Sequence, residues 1–331
     1  MSTFAVPAPA NGGSLACDPA ILQIVRAWWD QAQISYPAAT CRAWRFDWAV
    51  FARHCAERQV TPLPADSATL VAFVQSCVDA QRSAATIKRY LATIRRIHGV
   101  AGLAHAIHSE PVRMALRSMA RSVGVRQRQA AALGWKEIKA FIALSDTSLH
   151  ACRDRALLSV AYDLLARSSE LVGLRVRDIA IEANGTGRAF IERSKTDQNA
   201  EGHVAYLTRT SVKLLTVWLE RSRIAKDKNG PLFRRILGHS QIGPHLTPTA
   251  VSGVYKKVAR YLKLPGNSGS TFSGHSVRVG ATQDLVELNA SLAAVMREGR
   301  WTSERMPRRY AEKLLPSRGA IAQAAVIQGR D

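Results

Sequence analysis

Apolar residues recur at helical spacing through the first third of the chain. After Asp18-Pro19, an N-cap with proline at the first helical position, Ile21, Ile24, Val25 and Trp28 share one face. After Pro37, Trp44, Trp48, Phe51 and Cys55 mark a second helix whose opposite face carries Arg42, Arg45 and Arg53. Asp66 caps a third with Leu70, Phe73, Val74 and Cys77 inward. Ile87, Leu91, Ile94 and Ile97 predict a fourth that stops at Gly99, and Ser109 with Pro111 opens a fifth that stops at Gly124.

The segment 125–133, VRQRQAAAL, is polar and basic without core periodicity, and reads as an interdomain linker. Beyond it, Trp135–Leu144 and Cys152–Leu165 read as helices. The period then changes. Asp178–Glu182, Ala189–Glu192 and His203–Leu207 alternate like short strands, with Asn184-Gly185 as a hairpin turn. Helices return at Ser211–Arg223, from Thr247-Pro248 through Lys263, and from His275 onward. Residues 1–17 read as a mobile tail, 18–124 as a helical domain, and 134–331 as a larger, mostly helical domain with one small antiparallel sheet.

Charge narrows the partner. The 331 residues are 47% hydrophobic, which excludes a wholly disordered chain. They carry 46 Lys and Arg against 25 Asp and Glu, a formal charge of +21, which calls for a polyanion, either nucleic acid or an anionic membrane surface. Residues 82–128 hold ten Lys or Arg and one acid, Glu110, a bias across two helices that phosphate contact explains better than a solvated face. No run of 18 apolar residues occurs, and the first 25 residues contain no Lys or Arg. Neither a membrane span nor a secretory leader is therefore expected, and nucleic acid and a cytoplasmic location lead. The five cysteines form no CxxC pair, so neither a disulfide framework nor a zinc site is indicated.

Several pairs are weak alone. In FSGHSVRVGA, His275 and Arg278 lie three apart and would share a helix face. In LLARSSELVGL, Arg167 and Glu170 could be a surface ion pair. Lys195, within Ser194-Lys195-Thr196-Asp197 on a hairpin, could simply be solvated. Gly299-Arg300-Trp301 is followed nine residues later by Tyr310, which could be an ordinary amphipathic-helix residue.

Together, in the order Arg, Lys, HxxR, Trp, Tyr, these pieces resemble the tyrosine recombinase (phage integrase) family. Trp301 with SGHSVRVGA, GRAFIERSKT, and ACRDRALLSVAYDLLARSSELVGLRVRDI resemble the Cre subgroup within it. The resemblance is strong over 152–310 and weaker over 18–130. It implies a mainly α fold: an N-terminal helical DNA-clamping domain and a C-terminal mixed α/β catalytic domain. It implies catalytic roles for Arg167, Glu170, Lys195, His275, Arg278, Trp301 and Tyr310, with Tyr310 the nucleophile, Lys195 delivering a proton, and Glu170 orienting arginine or histidine. The implied partners are double-stranded DNA with inverted-repeat half-sites and a homotetramer on two sites. No cofactor is expected: the chain has no GxxxxGK[ST] loop, and no acidic metal cluster lies near the arginines.

The resemblance also implies that the helix opened by Thr247-Pro248 corresponds to a major-groove reader, presenting Thr249, Ser252, Lys256 and Lys257. Arg42 and Arg45, with Lys88 and Arg89, are the candidate contacts of the first domain. Ala320, Ile321, Ala324, Ala325 and Ile327 form an apolar stripe, read as a protomer-docking helix or as packing within its own domain. Alternative functions on the same fold are a type IB topoisomerase-like or telomere-resolving enzyme, and an inactive DNA-binding protein. A two-domain clamp makes a quantitative expectation. The log–log dependence of DNA affinity on salt should have a slope steeper than about −3, corresponding to roughly four or more neutralised phosphates. A titration between low and physiological salt checks it.

Overall fold

The computed structural model describes residues 18–192, 201–265 and 271–330. Lys195 and the 1–17 tail lie outside them. The chain divides into two compact units, Met1–Gln127 and Arg128–Asp331.

The first unit contains α1 (Pro19–Ser35), α2 (Ala38–Glu57), α3 (Ser67–Asp79), α4 (Ala84–Val100) and α5 (Glu110–Val123). The predicted caps form: Asp18 accepts from the Ala20 amide at 2.8 Å and Asp66 from Thr69 at 2.7 Å. The core stacks Trp48, Phe51, Phe73 and Tyr90 at ring separations of 5.0–5.9 Å. One expected face differs. Ile24 is exposed, and α1 buries Trp29 and Ala32 beside the expected Val25. Trp29 is the larger apolar payload, and turning the helix to bury it brings Ile24 outward while Trp28 packs on Trp44 at 5.5 Å. α2 also buries a carboxylate, Asp47, which accepts from Arg89 (2.8 Å) and Thr93 (3.1 Å) of α4.

The second unit is built around α7 (Leu149–Asp163), which follows α6 (Trp135–Ile142). Ala156, Leu157, Leu158, Val160 and Ala161 are all buried, as are the polar Arg153, Asp154 and Ser159, so this central helix is covered on nearly every side. Its last residue, Asp163, accepts from the Thr208 amide and hydroxyl and from Ser211, which fixes the start of α9 (Arg209–Ser222). Between α7 and α9 lie the short α8 (Ser168–Gly173) and an antiparallel sheet of β1 (Ile179–Ile181), β2 (Gly187–Ile191) and β3 (His203–Leu207), in that order. Gly187, Ala189, Ile191, Ala205 and Leu207 face the core, while Arg188, Phe190, Val204 and Tyr206 face outward. At the predicted hairpin, Gly185 has φ +81°, a conformation open to glycine.

A second ribbon is a correction to the single expected sheet: β4 (Arg234–Leu237) pairs antiparallel with β5 (Gln241–His245). Its residues are half-buried or exposed, so no alternation of apolar and polar positions announces it. After α10 (Pro248–Tyr261) come α11 (Ser276–Glu287), α12 (Leu292–Gly299), α13 (Arg305–Tyr310) and α14 (Ala320–Ile327).

The end of the 125–133 segment is integrated into the second unit. Ala131 and Leu133 are buried, and their amides donate to the carbonyls of Thr271 and Ser276. α11 receives this strand-like segment at Gly280, where a methyl group would run into the Leu133 carbonyl and the Gly134 amide. Glycine inside a helix ordinarily costs about 0.5–1 kcal/mol relative to alanine. Here the sign should reverse: Gly280→Ala should destabilise the protein by about 1–3 kcal/mol through overpacking, read as a lower midpoint in urea unfolding.

Candidate active site

Arg167 is the N-cap of α8, and both ends of that residue are held by one carboxylate. Glu170, buried in the first turn, accepts from the Arg167 amide (2.9 Å) and from its Nη1 (2.6 Å). The i, i+3 spacing thus makes a buried capping pair rather than a surface ion pair. The other oxygen edge of Glu170 also takes Arg300, whose Nη2 lies 2.7 Å from Oε2. Burial alone would raise the Glu170 carboxyl, but Arg300 and the bonds from Arg167 outweigh it and hold the group below its ordinary value.

Arg278 sits in the first turn of α11, 1% exposed. It donates to the carbonyls of Leu165 and Gly299, and its guanidinium stacks over the Trp301 ring at 4.1 Å from the centroid. Burial, then the neighbouring Arg167, push it down to about 9. His275 is the N-cap of the same helix and is exposed. The HxxR pair therefore straddles the helix start, with histidine outward and arginine inward, unlike the shared face its spacing suggests. Ser168 Oγ pins this entry to α8 by donating to the Gly274 carbonyl at 2.9 Å.

Tyr310 closes the short α13. It is 8% exposed and meets Trp301 edge-on at 5.8 Å. Burial raises its phenol, while the fields of Arg278, Arg167 and Arg309 act in the opposite direction. Its backbone carbonyl accepts from two side-chain amides, Gln283 (2.9 Å) and Gln129 (3.2 Å). The fold thus brings Arg167, Glu170, Arg278, Trp301 and Tyr310 into one cluster in which Glu170, Arg278 and Tyr310 are buried, while His275 is exposed at the start of α11.

Residues 132–315 match the phage integrase family. The chain belongs to that family. This integrase-family chain is 28% identical over 252 residues to the recombinase Cre of Escherichia phage P1, covering 72% of this chain and 73% of that protein. It is 28% identical over 285 residues to an integrase/recombinase XerD homolog of Selenomonas ruminantium, covering 83% and 81%. In fold it is similar to the XerH site-specific recombinase bound to a palindromic difH substrate, with TM-score 0.63, 16% identity and coverage of 89% and 81%. It is also similar to a lambda integrase dimer bound to a COC′ core site, with TM-score 0.57, 15% identity and coverage of 88% and 76%.

Three residues of the cluster in this tyrosine recombinase escaped the sequence reading: Arg300, Gln283 and Gln129. Arg300 neighbours Trp301, but in a segment that also holds Arg297, Arg305, Arg308 and Arg309 nothing marks it out. The two glutamines carry no local signal, because only the fold brings them to Tyr310.

The candidate DNA contacts divide. Arg42, Lys88, Thr249 and Lys256 are exposed, and Ser252 is half-buried. Arg45 lies half-buried over the Trp29 ring at 5.7 Å. Arg89 is exposed but ion-paired with the buried Asp47, and the half-buried Lys257 is paired with the buried Asp154 at 3.1 Å.

The depressed Glu170 carboxyl fixes a pH dependence. A group with a lowered folded pKa contributes stability above its unfolded value and loses it as pH falls through the folded one. Glu170→Gln should therefore be less stable than the wild type at pH 7. The gap should close as pH falls below about 4, as followed by urea unfolding at stepped pH.

Proposed function

We propose that this chain cuts and rejoins DNA at specific sites with Tyr310 as nucleophile. The observation that carries the reading is the buried Tyr310 ring set edge-on against Trp301, in the field of two braced guanidiniums, Arg278 and Arg167. A phosphodiester resists attack because its oxygens repel the nucleophile. Arg167 and Arg278 hold the non-bridging oxygens and stabilise the charge that grows in the pentacoordinate transition state. Trp301 has an indole N–H and no acceptor, so it can donate to the same oxygens but cannot act as base. His275, exposed at the start of α11, serves as the proton acceptor or donor. Lys195 delivers a proton to the leaving 5′ oxygen.

Attack by the Tyr310 oxygen forms a phosphorus–oxygen bond and breaks the bond to the 5′ oxygen. The products are a 3′-phosphotyrosyl enzyme and a free 5′-hydroxyl. A partner strand's 5′-hydroxyl then reverses the exchange, so one phosphoester replaces another at each step and no nucleotide hydrolysis is needed. Burial raises the Tyr310 phenol, so its attack needs a base or the opposing arginine fields to draw off the proton.

Two such exchanges pass through a Holliday junction and require four protomers on two sites, each site an inverted repeat read by a pair. The exposed Ile321 and Ile327 on α14 support a helix that docks on a neighbouring protomer. Thr249 and Lys256, exposed on α10, with Arg42 and Lys88 on α2 and α4, supply the DNA contacts. Threonine reads a base weakly, often through the thymine methyl, so this protein's target differs from that of a recombinase with arginine there.

The test is trapping on a suicide substrate carrying the cognate site, mapped on DNA from the source genome. Wild-type protein should become covalently attached through Tyr310. Tyr310→Phe should bind the same DNA with unchanged affinity and form no adduct. An adduct on the Tyr310→Phe protein would assign the nucleophile elsewhere.

A further inference from the structure

The cluster contains one cation that the proposed mechanism does not use. Arg300 ends α12 with φ 55° and ψ 47°, the left-handed conformation that glycine adopts without cost. Arg223 and Lys263 take a similar φ at the ends of α9 and α10, but both are exposed there. The Arg300 side chain is 8% exposed and its guanidinium is drawn inward to Glu170. A helix end that glycine would satisfy better is thus occupied by a buried charge with a defined partner.

That partner is shared. Glu170 Oε1 takes Arg167 Nη1 at 2.6 Å, while Oε2 takes the Arg167 amide at 2.9 Å and Arg300 Nη2 at 2.7 Å. An arginine and a carboxylate left to themselves tend to pair side-on through two parallel bonds. Arg300 competes for Oε2 and keeps the carboxylate from closing on both ends of the Arg167 fork. The same turn has two further ties to the site. The Gly299 carbonyl accepts from Arg278, and Trp301, the next residue, is the ring on which Arg278 stacks. The Arg300–Glu170 bond therefore stitches the turn that carries Trp301 to the helix that carries Arg167.

We propose that Arg300 is a positioning residue: by occupying Glu170 it keeps the Arg167 guanidinium turned to the scissile phosphate and holds Trp301 in register with it. This rests on the reading of Arg167 as a phosphate-holding residue. Arg300 itself makes no contact with DNA in this role, so its removal should slow chemistry without weakening binding.

The experiment measures single-turnover adduct formation at saturating cognate DNA, with affinity from mobility shift and melting temperature as companions. Arg300→Gly keeps the left-handed turn and removes the side chain. It should slow adduct formation about tenfold or more, the scale of a lost charge-assisted hydrogen bond, with affinity within about twofold of wild type. Arg300→Asn, which also tolerates the turn, should do the same and stands in if the glycine variant does not fold. In an Arg167→Lys background, where no fork remains to be oriented, Arg300→Gly should change the rate by less than about twofold. Three results would overturn the inference: adduct formation at the wild-type rate, a matching loss of affinity, or an equal slowing in the Arg167→Lys background. Full-rate adduct formation by Arg167→Lys alone would instead overturn the role of Arg167 from which the inference starts.

Discussion

One buried carboxylate organises the centre of the second unit. Glu170 is nearly solvent-free, and an isolated ionised carboxylate in such a place would be driven to its neutral form. It stays charged because Arg167 and Arg300 reach it from two sides and the Arg167 amide donates to it as well. Those bonds set the start of α8, the direction of the Arg167 side chain and the path of the turn between α12 and Trp301. Arg278 is then held from that turn and from the end of α7 through the carbonyls of Gly299 and Leu165. Removing the carboxylate would leave two buried cations facing a third.

The balance of charge suits the proposed chemistry. Three guanidiniums and one carboxylate leave the cluster with excess positive charge, partly desolvated and backed by the face of Trp301. A dianionic pentacoordinate phosphorane would meet that field more strongly than the monoanionic ground state does, which is the differential binding that lowers a barrier. The buried phenol of Tyr310 is held against the same indole and anchored at its carbonyl by Gln129 and Gln283. Gln129 belongs to a segment that composition alone marks as a linker, so the backbone around Tyr310 is braced by a stretch with no sequence signature for that role.

Long apolar periodicities were readable because burial and helical geometry act locally. α3 buries Leu70, Phe73, Val74 and Cys77, the set its spacing predicts. α1 departs from its predicted face because the core takes Trp29 rather than the adjacent Trp28, and that choice depends on what α2 and α4 offer. The β4–β5 ribbon left no trace because its strands are only half-covered, so no alternation of apolar and polar residues was required.

By itself the sequence determined the family, the succession of most helices, the three-stranded sheet and the candidate residues Arg167, Glu170, Lys195, His275, Arg278, Trp301 and Tyr310. Each lies in a short motif that is weak alone, and it is their order along the chain that carries the resemblance. Tertiary structure alone decided which of them are buried, that His275 and Arg278 point to different environments, and that Lys257 and Arg89 are bonded to buried acids. It also decided that Arg300, 130 residues from Glu170, completes the carboxylate's shell. The physical reason is range. Caps, turns and helical faces are fixed by residues a few positions apart. A buried charge is satisfied by whatever cation the fold carries to it, and that partner is invisible until the chain has closed on itself.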